Sequence, residues 1–140
     1  MNKNLYDNYN SYNDEKNKIV KQFEVWWADI PKFAHKGEDS HIQYGKRPVI
    51  IISGKSNNAH SPVCSIVMVT KQNKRNLPCH IRLEKNYEKY GLTMPSTIMG
   101  ESAMGIDKKW LKYKMGEILE EDMREKIFEA MTAHYERMVS

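Results

Sequence analysis

The stretch that most restricts what this chain can become is Arg47-Pro48-Val49-Ile50-Ile51-Ile52-Ser53. Its apolar run is short enough to be a strand and continuous enough to be buried on both faces. Proline donates no ladder hydrogen bond, so Pro48 is expected at the first residue of that strand or at an edge. The 140 residues suit one core, or one core plus a tail, and 40% hydrophobic content can fill it. A membrane helix is excluded: mean hydropathy is −0.74, and no window approaches the ~20 apolar residues such a helix needs. The start, Met1-Asn2-Lys3-Asn4-Leu5-Tyr6, lacks a signal peptide's apolar stretch, so a cytoplasmic location is expected.

Further short strands are expected around this one. Phe23 to Ile30 is aromatic and β-branched with rough alternation, and it stops at Pro31. Val63 to Thr70 and Pro78 to Glu84 read as two more, and Ser96 to Met99 as another leading towards Ile106. Between them lie a long polar loop over 31–46, a turn-like Gly54-Lys55-Ser56-Asn57-Asn58 and a basic loop, Lys71-Gln72-Asn73-Lys74-Arg75-Asn76. A helical turn is expected from Asp107 as N-cap through Trp110 and Leu111. Met123, Ile127, Met131, Tyr135 and Met138 recur at helical spacing, behind Glu120, Glu121 and Asp122, which favour a helix N-terminus. The sum is a mainly β, α+β domain: a small barrel of short strands closed by a C-terminal helix.

Residues 1–22 differ in composition, with six Asn, three Tyr and few apolar side chains. Such a segment buries too little surface to offset its ordering entropy. The chain therefore divides into a disordered tail, 1–22, and a folded domain, 23–140.

Chemistry narrows by elimination. His35, His41, His60, His80 and His134 show no HExxH and no paired ligand spacing, and Cys64 and Cys79 stand fifteen apart, so no metal site is expected. The two thiols read as free and structural. No glycine pattern cradles a phosphate, and no GxSxG nucleophile turn occurs. The +4 net charge is too small to name a partner, but its placement is uneven. Lys71, Lys74, Arg75, Arg82 and Lys85 cluster against Glu84 alone, a pattern that attracts backbone phosphates as well as water. Arg47 stands where a Gly-containing loop enters the buried strand, and its planar fork suits phosphate oxygens or a structural carboxylate. Thr70 closes the next strand just before the basic loop. Glu101 follows the short strand from Ser96, as a base or as a turn carboxylate.

Taken in order, these segments resemble the MazF/PemK family of toxin endoribonucleases from bacterial toxin–antitoxin pairs. Glu24-Val25-Trp26-Trp27-Ala28-Asp29-Ile30 is similar to the family's opening G-[DE]-[IV]-[WY] strand, with Phe23 where Gly is usual. Gly45-Lys46-Arg47-Pro48-Val49 matches the G-x-R-P-V motif, and Leu77-Pro78-Cys79-His80-Ile81 resembles L-P-[TS]-H-V. Tyr90-Gly91-Leu92, Ser96 and Ile106-Asp107-Lys108 agree in order and spacing. The chain departs from the usual [ED]-Q-x-[RK]-[TS]-[IV]-D by placing Ser102 and Met104 where an amide and a basic residue stand.

The resemblance implies a small SH3-like barrel of the PemK/MazF/CcdB type, a homodimer, and sequence-specific cleavage of single-stranded RNA with no metal or other cofactor. It implies an acidic antitoxin as partner. By the same resemblance Arg47 and Thr70 are the principal catalytic residues, with His41 and Glu101 as acid–base candidates. Gln43 and Lys46 on the preceding loop, with Lys71, Lys74 and Arg75 on the basic loop, are the expected RNA contacts. Two competing classes remain: a barrel that binds RNA or peptide without cleaving it, and a gyrase poison like the related CcdB toxins. Those typically end in an aromatic residue, whereas this chain ends Met138-Val139-Ser140.

Overall fold

A computed structural model describes residues 18–32 and 44–135. In chain order it contains β1 (Glu24–Ile30), β2 (Gly45–Ile51), helix α1 (Lys55–His60), β3 (Val63–Thr70), β4 (His80–Leu83) and a 3-10 turn at Tyr87–Tyr90. There follow β5 (Ser96–Asp107), a second 3-10 turn at Lys108–Trp110, β6 (Leu111–Glu117) and helix α2 (Glu121–His134). The six strands form one sheet in the order β4-β5-β3-β2-β1-β6, antiparallel at every pairing. This is the mainly β architecture with a closing helix that the sequence leads one to expect.

β2 is buried on both faces, as its composition requires. Ile50 packs with Val25, Val67, Val69, Ile98 and Ile127, while Val49 and Ile51 pack with Ala28, Ile66, Met68 and Ile106. Each such aliphatic side chain contributes about 1.5–3 kcal/mol by leaving water. Pro48 is not the first residue of the strand: β2 begins at Gly45, and Pro48 pairs with Trp27 of β1. The ladder to β3 starts only at Val49, opposite Met68, so Pro48 is at an edge on that side and its missing N–H leaves no gap.

β5 is three times its expected length. It runs through Gly100, Glu101 and Ser102, where its pairing with β3 shifts register between Ile66 and Met68. Ser102 Oγ accepts from the Met68 N–H at 2.7 Å and donates to the Met99 carbonyl at 2.6 Å. The hydroxyl thus satisfies backbone groups that the irregularity removes from the ladder. Thr97, Ile98 and Met99 of β5 pair with β4 and β3 at once. At Gly100 a Cβ would lie 2.6 Å from the Ala130 carbonyl carbon and 2.9 Å from the Cys79 carbonyl oxygen, so only glycine lets α2 settle on this strand.

Ahead of β1, residues 18–22 lie against the domain. Val20 is buried in the core, Lys18 Nζ donates to the Lys108 and Leu111 carbonyls at 2.9 and 3.1 Å, and Gln22 Nε2 donates to the Ile52 carbonyl at 2.8 Å. The rest of the expected tail, 1–17, lies outside the described residues. Phe23 adopts φ +72°, the left-handed region that glycine occupies without strain. Its ring is buried, edge-on to Phe128 at 5.7 Å and beneath the Arg124 guanidinium at 4.9 Å, so packing offsets the backbone strain. Among the described residues, no helix is long and apolar enough to cross a membrane.

Candidate functional site

The register between β2 and β3 pairs Val49 with Met68. Continued two residues outward, it sets Arg47, on the part of β2 that pairs with β1 alone, opposite Thr70 at the end of β3. The two residues line one cleft of about 300 Å³. Lys46, Lys71 and Gln72 join them from the adjoining chain ends, with Trp27 from β1, Met115 from β6 and the 92–96 segment closing the sides. Three lining side chains are cationic and none is a carboxylate. An anion entering here meets positive charge without a competing acid.

Arg47 is half-buried, and burial draws its pKa down from the ordinary guanidinium value, although guanidinium stays charged in proteins. Its Nε and Nη2 both donate to the Tyr44 carbonyl, at 3.3 and 2.9 Å. That clamp fixes the plane of the fork and leaves donors for an incoming oxyanion. Among the described carboxylates none forms an ion pair with it, so the structural-carboxylate alternative for Arg47 finds no partner there. Thr70 is 7% exposed, and its Oγ1 accepts from the Gln72 N–H at 3.2 Å, which leaves the hydroxyl proton available to a ligand.

The remaining expected site residues fall elsewhere. His41 and Gln43 lie outside the described residues. Lys74 and Arg75 are on the basic loop beyond the cleft lining. Arg82, part of the same charge cluster in sequence, is engaged by the fold: Nε pairs with Glu84 at 2.7 Å, and Nη1 donates to Thr97 Oγ1 at 3.1 Å and the Gln72 carbonyl at 3.3 Å. Glu101 does not line the cleft. It sits at the bend of β5, hydrogen-bonded to His80 Nε2, with Cys79 Sγ 3.8 Å from its Oε2.

Trp27 is a cleft residue that the sequence marks only as part of a strand. It stacks on Tyr113 of β6, centroids 6.3 Å apart and planes 18° apart, and Tyr113 is 56% exposed. The pairing of β1 with β6 creates this platform, and β6 is invisible in the apolar pattern. The second missed group is the cluster of Cys79, His80 and Glu101, whose donor atoms lie within 4.8 Å of one another. Burial raises the Cys79 thiol's pKa, and the neighbouring Glu101 charge adds to it. The pairing of His80 with Met99 brings 79–80 beside 100–101, a register that no spacing in the sequence announces.

A model of the PemK-like, MazF-like toxins of type II toxin–antitoxin systems matches residues 21–132. Solved structures with the same fold include MazF from Deinococcus radiodurans, at 15% identity and TM-score 0.65, covering 85% of this chain and 98% of that one. The Mycobacterium tuberculosis toxin MazF-mt6 aligns at 17% identity and TM-score 0.63, over 83% and 99% of the two chains. An endoribonuclease in complex with its cognate antitoxin, from a mycobacterial species, aligns at 19% and 0.63, over 86% and 100%. At these identities the structural likeness speaks to the fold.

Proposed function

The chain belongs to the PemK-like, MazF-like toxin family of type II toxin–antitoxin systems, and on that premise we propose that it is a metal-independent endoribonuclease acting on single-stranded RNA. The observation that carries the reading is the cleft itself, which both Arg47 and Thr70 line, with no acid among its lining. RNA supplies its own nucleophile. A base removes the 2′-OH proton, the oxygen attacks the adjacent phosphorus, and the 5′-oxygen leaves with a proton. Negative charge grows on the non-bridging oxygens. A preorganised guanidinium aimed at that charge is worth roughly 2.7–4 kcal/mol of barrier.

In this scheme Arg47 holds the non-bridging oxygens, Thr70 aligns the phosphate, and Lys46 and Lys71 attract the flanking backbone. His41 is the proposed base, because imidazole is the side chain best suited to both accept and return a proton. Glu101 serves only after leaving His80. The Trp27–Tyr113 pair offers a face for a base, and stacking of that kind is worth about 1–3 kcal/mol. Single strands are the substrate because in-line attack and base stacking both need a splayed backbone. Lys74, Arg75 and Gln43 extend the RNA path. An acidic antitoxin is the proposed partner, since its charge complements the same cleft, and the working unit is a homodimer in the cytoplasm.

The test is to incubate the purified chain with mixed-sequence single-stranded RNA in excess chelator and to map the ends. Cleavage leaving 5′-hydroxyl and 2′,3′-cyclic phosphate ends, lost in Arg47→Ala and Thr70→Ala, is the expected result. An inert wild type, 5′-phosphate ends, or undiminished cleavage by Arg47→Ala would overturn it.

A further inference from the structure

We propose that Cys79, His80 and Glu101 form a binding site for a soft divalent transition metal, with Zn²⁺ the best fit. The argument begins at the imidazole. His80 Nδ1 lies 2.6 Å from the Arg75 carbonyl, an acceptor only, so Nδ1 carries a hydrogen and donates. In the neutral ring Nε2 then presents a lone pair, and what faces it is Glu101 Oε2, another acceptor. Two acceptors in contact need a cation between them. Either a proton or a metal ion can fill that role.

Three further observations favour the metal. Cys79 Sγ stands 3.8 Å from Glu101 Oε2. A tetrahedral zinc with a bond of about 2.3 Å to sulfur and 2.0–2.2 Å to oxygen sets those two ligands roughly 3.6 Å apart. Glu101 Oε1 is buried without a hydrogen-bond partner, the one such side-chain atom among the described residues. A charged carboxylate buried with an unfilled acceptor is costly, and a bidentate grip on the ion, Oε1 joining Oε2, would supply the missing partner. Finally, a histidine that binds metal through one nitrogen ordinarily donates from the other to a carbonyl or carboxylate, which is the arrangement His80 shows. Nε2 and Oε2 must part to about 3.3 Å to admit the ion.

Thiolate and imidazole together select zinc-like ions over magnesium or calcium. Three protein donors leave a fourth position for water. Because Arg75 belongs to the basic loop, the ion would also anchor that loop through its carbonyl. The site is separate from the cleft lining and would stand even if the chain cleaved no RNA.

The experiment uses the full chain, stripped with chelator and dialysed, then titrated with Zn²⁺ by calorimetry and with Co²⁺ by absorption. One zinc per chain is expected, with a thiolate-to-cobalt charge-transfer band and a zinc-dependent rise in thermal midpoint. Cys79→Ser abolishes the band, and Glu101→Gln weakens zinc by at least ~10-fold. Arg47→Ala binds zinc as the wild type does, which separates this result from any loss of RNA cleavage. Both Cys79→Ser and Glu101→Gln are near-isosteric, and an unchanged metal-free circular dichroism spectrum shows that they fold. Zinc binding weaker than micromolar, or binding that neither variant diminishes, overturns the proposal.

Discussion

Arg47 and Glu101 both stand where a strand of the same sheet changes course, yet their surroundings are opposite. Arg47 lies on the part of β2 that pairs with β1 alone, opens to a cleft with two lysines and no carboxylate, and is clamped by a single carbonyl. Glu101 occupies a bend in mid-strand, with one oxygen against His80 and the other buried and unpartnered. The first environment is built to receive negative charge, the second to receive positive charge. The contrast teaches that one small sheet can hold two polar sites without mixing them, provided that strand ends serve one and a bulged strand serves the other.

The sharpest way to break the contrast is at Arg47 itself. Arg47→Lys keeps the charge but loses the planar fork and its double donation to Tyr44, so point attraction replaces bidentate geometry. RNA cleavage should fall about 10²–10³-fold, while the thermal midpoint moves little because Arg47 lies at the open end of the sheet. Single-turnover rates on a short RNA check this. Near-wild-type rates would mean that charge alone suffices and that the clamp is incidental.

A second substitution acts from the other side. Gly100→Ala drives a methyl against the backbone of Ala130 and Cys79, so α2 must lift or β5 must shift. The expected loss is about 2–3 kcal/mol, read as a lower denaturant midpoint. The Cys79–His80–Glu101 cluster should loosen, while the cleft, which neither Gly100 nor α2 lines, retains its shape. A variant as stable as the wild type would show that α2 does not depend on this close approach.

The two regions also differ in how far the sequence discloses them. Arg47 and Thr70 are readable because each marks the end of a short apolar run, and adjacent antiparallel strands bring their ends together. The Cys79–His80–Glu101 cluster is not, because its ligands come from neighbouring strands whose register no ligand-spacing rule contains. The long form of β5 is hidden for a related reason: Gly100, Ser102 and Gly105 interrupt the apolar pattern where the strand is bulged, and from Glu101 to Gly105 it is less buried. β6 escapes because Lys112, Tyr113 and Lys114 are exposed at a sheet edge, where burial no longer selects hydrophobic residues. α1 reads as a turn because Ser56, Asn57 and Asn58 are poor helix formers. Of the expected α2 face, Ile127 is buried and Met123 and Met131 pack against the core, but Tyr135 follows the helix and is 63% exposed.

Glu24 supplies the control that sharpens the comparison, because it is a buried carboxylate with its acceptors occupied. It is 4% exposed and accepts from the Lys21 N–H at 2.7 Å, Trp26 Nε1 at 3.1 Å and Lys114 Nζ at 3.0 Å. Burial alone would raise its pKa. The hydrogen bonds from Lys21, Lys114 and Trp26, with the Lys114 charge, together outweigh that and hold it below the ordinary 4.5. A carboxyl with a lowered folded-state pKa contributes stability above its unfolded value, and that contribution is lost as pH falls through the folded value. Glu24→Gln should therefore cost about 1–2 kcal/mol at neutral pH. The gap to the wild type should close as the pH drops from about 5 towards 1–2, a trend that urea midpoints taken across that range would resolve. A gap that stays constant over the range would assign the loss to shape rather than charge, and Glu24 would then no longer serve as the saturated counterpart of Glu101.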